Sequence, residues 1–162
     1  MRRSIKEGIS FGIVAGIIFA VAQMLAAGMM GEIGLMPLRM FASVVLGSAA
    51  MTSTDVALTV FIGLLVHFVL SAAFGAIYGY LEERFSRDVR SSFGKQAVFG
   101  MVYGIVLWFV NYQIIARILY PWFLSPPQGI QMMIHAICFG LPLAVIFAFY
   151  EKSEHPILPR AA

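Results

Sequence analysis

The sequence predicts an all-α fold: an integral membrane bundle of four helices, with a short extra helix between the first two. Three observations predict it. The chain has 162 residues, 60% of them hydrophobic and only 12% charged, against about 25% charged in a soluble domain. So few charges cannot cover a water-facing surface. The apolar residues gather into four runs, about 8–30, 56–80, 96–119 and 129–150, each near the ~20 residues a helix needs to cross hydrocarbon. The basic residues flank these runs instead of forming a patch, which excludes a nucleic-acid binder. An ordinary soluble enzyme and a disordered chain are excluded with it, and residues 1–162 read as a single membrane domain.

The first run follows Arg2, Arg3 and Lys6 and has the charge pattern of a signal peptide. Its length and the three runs after it predict a retained first helix. Residues 35–50 are apolar but short and contain Arg39. They predict a helix over about 37–50, starting near Pro37 and lying interfacially or re-entrantly against the outer ends of the bundle. It reads as a lid, or as a wall of a site in which Arg39 meets an anionic group. The second run follows Thr52-Ser53-Thr54-Asp55, which can cap a helix start, and the fourth follows Ser125-Pro126-Pro127, an expected N-cap with proline in the first turn. Cys138 is the single cysteine, so no internal disulfide forms.

Charge sorting sets the expected direction. Arg2, Arg3, Lys6, Arg84, Arg87, Arg90, Lys95, Lys152 and Arg160 fall on one side of the spans, with Arg39 and Arg117 on the other. By the positive-inside rule both termini and the 82–95 loop are cytoplasmic. Tyr120, Trp122 and Phe123 fall where an outer aromatic belt is expected.

The halves echo one another. Gly12-x-x-x-Gly16 precedes Gln23, and Gly100-x-x-x-Gly104 precedes Asn111, each amide 11 residues after the first glycine. His67 stands 15 residues before Glu82, and His135 stands 16 before Glu151. This reads as a parallel 2+2 repeat. Counted from the cytoplasmic boundary, Gln23, His67, Asn111 and His135 all rise roughly 22–26 Å, one polar residue per helix at one depth. Such groups are costly in lipid and turn toward the bundle interior.

Several readings of this layer compete. Two histidine–amide pairs would tie the helices together. Two imidazoles at equal depth suit a bis-histidine haem b between His67 and His135. Small residues lie nearby at Ser71, Ala72, Gly75 and Gly140, and the propionates would point toward Arg39 and Arg117. Copper is a third reading, since Met24, Met29, Met30, Met36, Met40, Met51, Met132 and Met133 lie toward the outer side and thioether with imidazole suits Cu(I). The ordinary role of methionine is filling apolar gaps. Zinc lacks a carboxylate or second cysteine beside the histidines.

Glycine and small residues recur at steps of four, at Gly8, Gly12 and Gly16, at Ser71, Gly75 and Gly79, and at Gly100 and Gly104. Such faces let helices approach closely, either within the chain or against partner helices. No acidic residue lies deep in a span to relay protons, so a transport path would need an oligomer with a pore between subunits. Ser71 stands one turn from His67 without a carboxylate to orient the imidazole, and no enzymatic site emerges. Arg117, with Asn111, Tyr112 and Gln113, could hold a lipid headgroup or simply snorkel.

The run Met36-Pro37-Leu38-Arg39-Met40-Phe41-Ala42-Ser43-Val44-Val45-Leu46-Gly47 resembles a group of small, uncharacterised bacterial membrane proteins with four transmembrane helices. So do Gly63-x-x-x-His67-x-x-x-Ser71-x-x-x-Gly75 and Tyr103-Gly104-x-x-x-Trp108-x-x-Asn111, with the later His135 and Gly140. The resemblance implies the four-helix unit and a bacterial inner membrane, and no activity. The expected role is non-catalytic: a scaffold, assembly or accessory subunit that meets lipids, its own copies or other membrane subunits through small-residue faces, without a cofactor. A redox accessory subunit holding haem b is the alternative, then a small oligomeric transporter or channel.

Overall fold

The computed structural model describes residues 3–52 and 55–154. Arg2, Ser53, Thr54 and Arg160, used above for charge sorting and capping, lie outside the described residues. The described chain is helical throughout: α1 (Arg3–Met29), α2 (Met36–Leu46), α3 (Val56–Glu82), a single turn α4 (Arg87–Arg90), α5 (Phe93–Leu119) and α6 (Gln128–Ser153). The helices α1, α3, α5 and α6 are long and apolar enough to cross a membrane, and polarity decides their setting. Val14, Ile17, Val21, Phe61, Leu65 and Val102 are exposed, while Gln23, His67, Ser71, Gln96, Gln131 and His135 are buried. A water-soluble fold buries the first set and exposes the second. The reverse arrangement belongs to a bundle solvated by hydrocarbon, which tolerates apolar surface and penalises unpaired polar groups. The chain is a four-helix membrane bundle.

Two glycine seams organise it. On α1, Gly8 and Gly12 lie against the backbone of Ser71 and Gly75 on α3; a Cβ on Gly12 would stand 2.7 Å from the Cα of Gly75, too close for any side chain. Gly79 meets the backbone of Ser4 in the same way. On α5, Gly100 meets the backbone of Gly140 on α6, and Gly104 that of His135 and Ala136. Close backbone approach gives dispersion contact along the whole seam, the main attraction left between helices in lipid. The two small-residue faces open to either intrachain or partner contact are therefore in contact with each other within the chain.

The helices α1 and α6 join the seams at the centre, where Phe11, Phe19, Phe139 and Phe147 pack. Among the described residues, the hydrogen bonds that join the outer flanks α3 and α5 lie toward the end that carries Arg84, Arg90 and Lys95, here termed the basic end. There Tyr103 donates to the carbonyl of Phe74 at 2.6 Å, and Tyr78 donates to Gln96 at 2.7 Å.

Local signals explain most of the boundaries. Asp55 caps α3 by accepting from the Leu58 amide at 2.9 Å. The fourth span departs from expectation: it starts at Gln128 after Pro127, and Ser125 donates to the Trp122 carbonyl instead of capping. Proline lacks an amide hydrogen and fixes φ, so Pro127 itself sets the helix entry. The expected helix over 37–50 ends at Leu46. Gly47, at φ 71°, turns the chain into a short 3₁₀ turn at Ser48–Met51, and only glycine enters that region without strain. The short helix does not sit over the helix ends. The carbonyl of Leu38 packs against Gly63, nearly two turns into α3, and the Phe41 ring reaches His67 with centroids 4.7 Å apart.

Candidate functional site

Away from the basic end, α3 and α5 part and leave a cavity of about 260 Å³. Its floor is Phe74, Leu107 and Phe139, beneath which Tyr103 closes the bundle. Phe41 and Val44 of α2 form one side, and Tyr120 and Phe123 of the α5–α6 connection form the roof. The roof is tied down by Trp122, whose indole donates to the Ser43 hydroxyl on α2 at 2.7 Å. The walls are apolar and rich in aromatic rings, and the polar side chains among them are His67, Ser71, Asn111, Tyr112, Tyr120 and His135.

Backbone geometry singles out the same place. The fifth helix widens into π-helical turns at Phe109–Ala116, and the sixth does so at His135–Gly140. Insertions of this kind disturb regular hydrogen bonding and concentrate at functional sites. Here they carry Asn111, Tyr112, Ala116, His135 and Phe139 onto the cavity wall.

The predicted polar layer resolves into two tiers. In the deeper one, His67 donates from Nε2 to the Gly16 carbonyl across the α1–α3 seam at 2.8 Å, with Ser71 Oγ 3.5 Å from the same nitrogen. A glycine at 16 leaves this carbonyl open, since a Cβ there would run into Ser71. His135 donates from Nδ1 to the Gln131 carbonyl one turn earlier, at 2.7 Å. A carbonyl only accepts, so these bonds assign one proton to each ring. Asn111 lines the cavity half-buried and makes no side-chain hydrogen bond to another described residue.

The second tier lies one turn toward the opposite end. Gln23 and Gln131 exchange both amide bonds, at 2.6 and 3.1 Å, and Tyr112 donates to Gln131 Oε1 at 3.0 Å. This closed network holds α1, α5 and α6 together above the histidines. The expected histidine–amide pairs do not form: Gln23 finds Gln131, and each imidazole finds a backbone carbonyl. The physical reason is reach. A glycine seam brings the Gly16 carbonyl to His67, and a ring one turn below Gln131 meets that carbonyl without leaving its own helix.

Haem b does not fit between the two histidines. Phe19, on the intervening helix α1, packs against both rings, with centroids 5.9 Å from His67 and 4.7 Å from His135. The nitrogen a haem iron ordinarily takes, Nε2, is bonded to a carbonyl in His67. For metals, the described residues contain no cluster of three or more His, Cys, Asp or Glu side chains.

Compared with known protein families, curated proteins and solved structures, the chain matches none.

The remaining candidates have structural partners. Arg39 donates to the Ala50 carbonyl at 3.0 Å and closes the turn after α2. Arg117 makes two bonds to Gln113 on its own helix, at 3.0 and 2.7 Å. Gly8, Gly12, Ser71, Gly75, Gly79, Gly100 and Gly104 form the seams. Sequence reasoning passed over Gln131 and considered Tyr112 only beside Arg117, because a single glutamine or tyrosine position carries no spacing signal. It also took Glu82 and Glu151 as markers of the membrane boundary. The structure buries both, with Glu82 accepting from Gln96 at 3.4 Å and Glu151 3.5 Å from Arg90. These contacts latch the basic end shut, so the cavity ends within the bundle.

Proposed function

We propose that this chain is a non-catalytic accessory protein of the bacterial inner membrane that holds a small lipid-soluble molecule in the cavity between α3 and α5. The single observation that carries this reading is the one-sided cavity itself. It is aromatic-walled, lies between helices that cross the membrane, and is closed at the basic end by Tyr103, Tyr78 and Gln96. Binding sites characteristically combine apolar walls with a few placed polar groups, and an entrance between two spans admits a molecule already dissolved in the bilayer. A cavity that ends inside the bundle favours holding over conduction. The small-residue faces are occupied within the chain, so association with other subunits rests on the lipid-facing surfaces of α3 and α5. The basic end lies in the cytoplasm and the cavity in the outer leaflet, in accord with the positive-inside rule.

Fluorescence tests it. Trp122 is anchored beside the cavity roof, and Trp108→Phe leaves it as the only tryptophan. In nanodiscs of unbrominated lipid, a bromo-substituted alkylbenzene is expected to quench Trp122 saturably, and Leu70→Trp in the cavity wall, made with Trp122 retained and read by displacement of radiolabelled probe, is expected to abolish saturable uptake. Quenching that rises linearly with membrane concentration of the probe, as simple partitioning requires, would refute the reading.

A further inference from the structure

The hydrogen-bonding pattern of the cavity wall specifies the headgroup. This inference rests on the proposed binding role and narrows it. Each polar group on the wall has protons and lone pairs that can be assigned in turn. Tyr112 has a single hydroxyl proton and gives it to Gln131. The proton on Nε2 of His67 goes to the Gly16 carbonyl, and that on Nδ1 of His135 goes to the Gln131 carbonyl. In the uncharged rings, Nδ1 of His67 and Nε2 of His135 are therefore acceptors, and neither has a donor among the described residues. The Tyr112 oxygen keeps its lone pairs, and Asn111 adds an unbonded carbonyl. Donors on the wall are reduced to the Asn111 amide and the hydroxyls of Ser71 and Tyr120. The site is rich in acceptors, and imidazole nitrogens are the strongest of them. A buried acceptor without a donor costs more than the bond itself returns in water, so the cavity favours a ligand that brings hydroxyl protons.

The walls add a shape. The rings of Phe19, Phe41, Phe74, Phe123 and Phe139 all border the space, and flat aromatic groups pack on such rings by offset or edge-to-face contact. No lysine or arginine lines it, which argues against a phosphate or carboxylate head. We propose that the ligand is a hydroxylated aromatic ring bearing an apolar tail, of the quinol class, its hydroxyls donating to His135 Nε2 and His67 Nδ1 and its tail leaving between α3 and α5 toward the lipid.

The test is a competition in nanodiscs against the bromo-alkylbenzene probe, using a decyl-substituted hydroquinone, its dimethyl ether, the matching quinone and decanol. The hydroquinone is expected to displace the probe at a concentration at least about 10-fold lower than its dimethyl ether, the fold-change for loss of hydrogen bonds to buried acceptors. The quinone, which brings acceptors to acceptors, is expected to fall near the ether, and decanol between ether and hydroquinone. Ile118→Leu, at an exposed position of α5 outside the cavity wall, is expected to keep the fold and the ranking. His135→Phe keeps a ring of similar shape and is expected to bring the hydroquinone to within about 3-fold of its ether. Imidazole nitrogen resonances give a second readout in the unaltered chain: hydroquinone is expected to shift His135 Nε2 while its ether does not. Equal displacement by hydroquinone and ether, or tighter binding of the quinone, would overturn the headgroup assignment and leave the binding cavity standing. Probe that never saturates would overturn the cavity reading itself.

Discussion

Replacing Gly75 with alanine isolates the seam that fixes the geometry of His67. In a water-exposed helix the change favours the fold by about 1 kcal/mol through helix propensity. Here a Cβ on residue 75 would stand 2.6 Å from the Cα of Gly12 and against the carbonyl of Gly8, both backbone atoms that no rotamer change can move. Ordinary contact begins near 3.4 Å, so α1 and α3 must part by about 1 Å, a gap that forfeits a quarter to a half of each dispersion contact along the seam. Overpacking of this kind costs about 1–3 kcal/mol, and the bond from His67 to the Gly16 carbonyl lies on the same seam. Set against the propensity gain, this leaves a net destabilisation of about 0–2 kcal/mol, which is about 1–3 kcal/mol below a glycine-to-alanine change that keeps the gain. Gly28→Ala is the control, because Gly28 is exposed on α1 and nothing stands within 4 Å of its added Cβ; it is expected to be neutral or stabilising. The assay is loss of helical circular dichroism on titration with sodium dodecyl sulfate in mixed micelles. A Gly75→Ala protein as stable as Gly28→Ala would refute the seam argument.

Other expectations follow from single contacts. A double-mutant cycle of Gln23→Leu and Gln131→Leu should give a coupling of about 0.6 kcal/mol, and not above about 1.7, the range for interhelical hydrogen bonds in membranes; zero coupling in the same unfolding assay would show that the exchange of amide bonds is absent. Ser43→Ala leaves the Trp122 indole without its partner and should cost about 0.5–1.5 kcal/mol, with faster hydrogen exchange at Tyr120–Phe123; an unchanged exchange rate there would contradict the roof tie. For topology, cysteines placed at Ser91 and at Ser125 in a Cys138→Ala background should label from the cytoplasmic and outer sides respectively, and the reverse pattern would invert the assignment.

The parts of this fold legible in the sequence are those that depend on sums along one helix. Span length and apolarity are properties of a single segment, and the four long helices stand where the apolar runs stand. The first begins earlier than its apolar run, at Arg3, because charged residues at the basic end extend a helix without needing hydrocarbon. Small residues four apart mark a face, so Gly8, Gly12 and Gly75 could be singled out, although which face meets which depends on helix rotation. Rotation also explains why Gln23 meets Gln131 and not a histidine. The π-helical turns at Phe109–Ala116 and His135–Gly140 have no composition of their own; they shift the hydrogen-bond register by one residue, which periodic reading cannot detect. They also turn Asn111, Tyr112 and His135 onto one wall, so the cavity emerges only in three dimensions. Depth counting nevertheless gathered His67, Asn111 and His135, because rise per residue is nearly the same in every helix.

The most direct measurement of the central claim is native mass spectrometry of the protein released from the membranes in which it was made. The expected spectrum contains one uncharged, lipid-soluble adduct per chain, absent from Leu70→Trp, whose larger side chain fills the cavity wall. A bare chain with no adduct, or an adduct retained unchanged by Leu70→Trp, would contradict a ligand-holding cavity between α3 and α5.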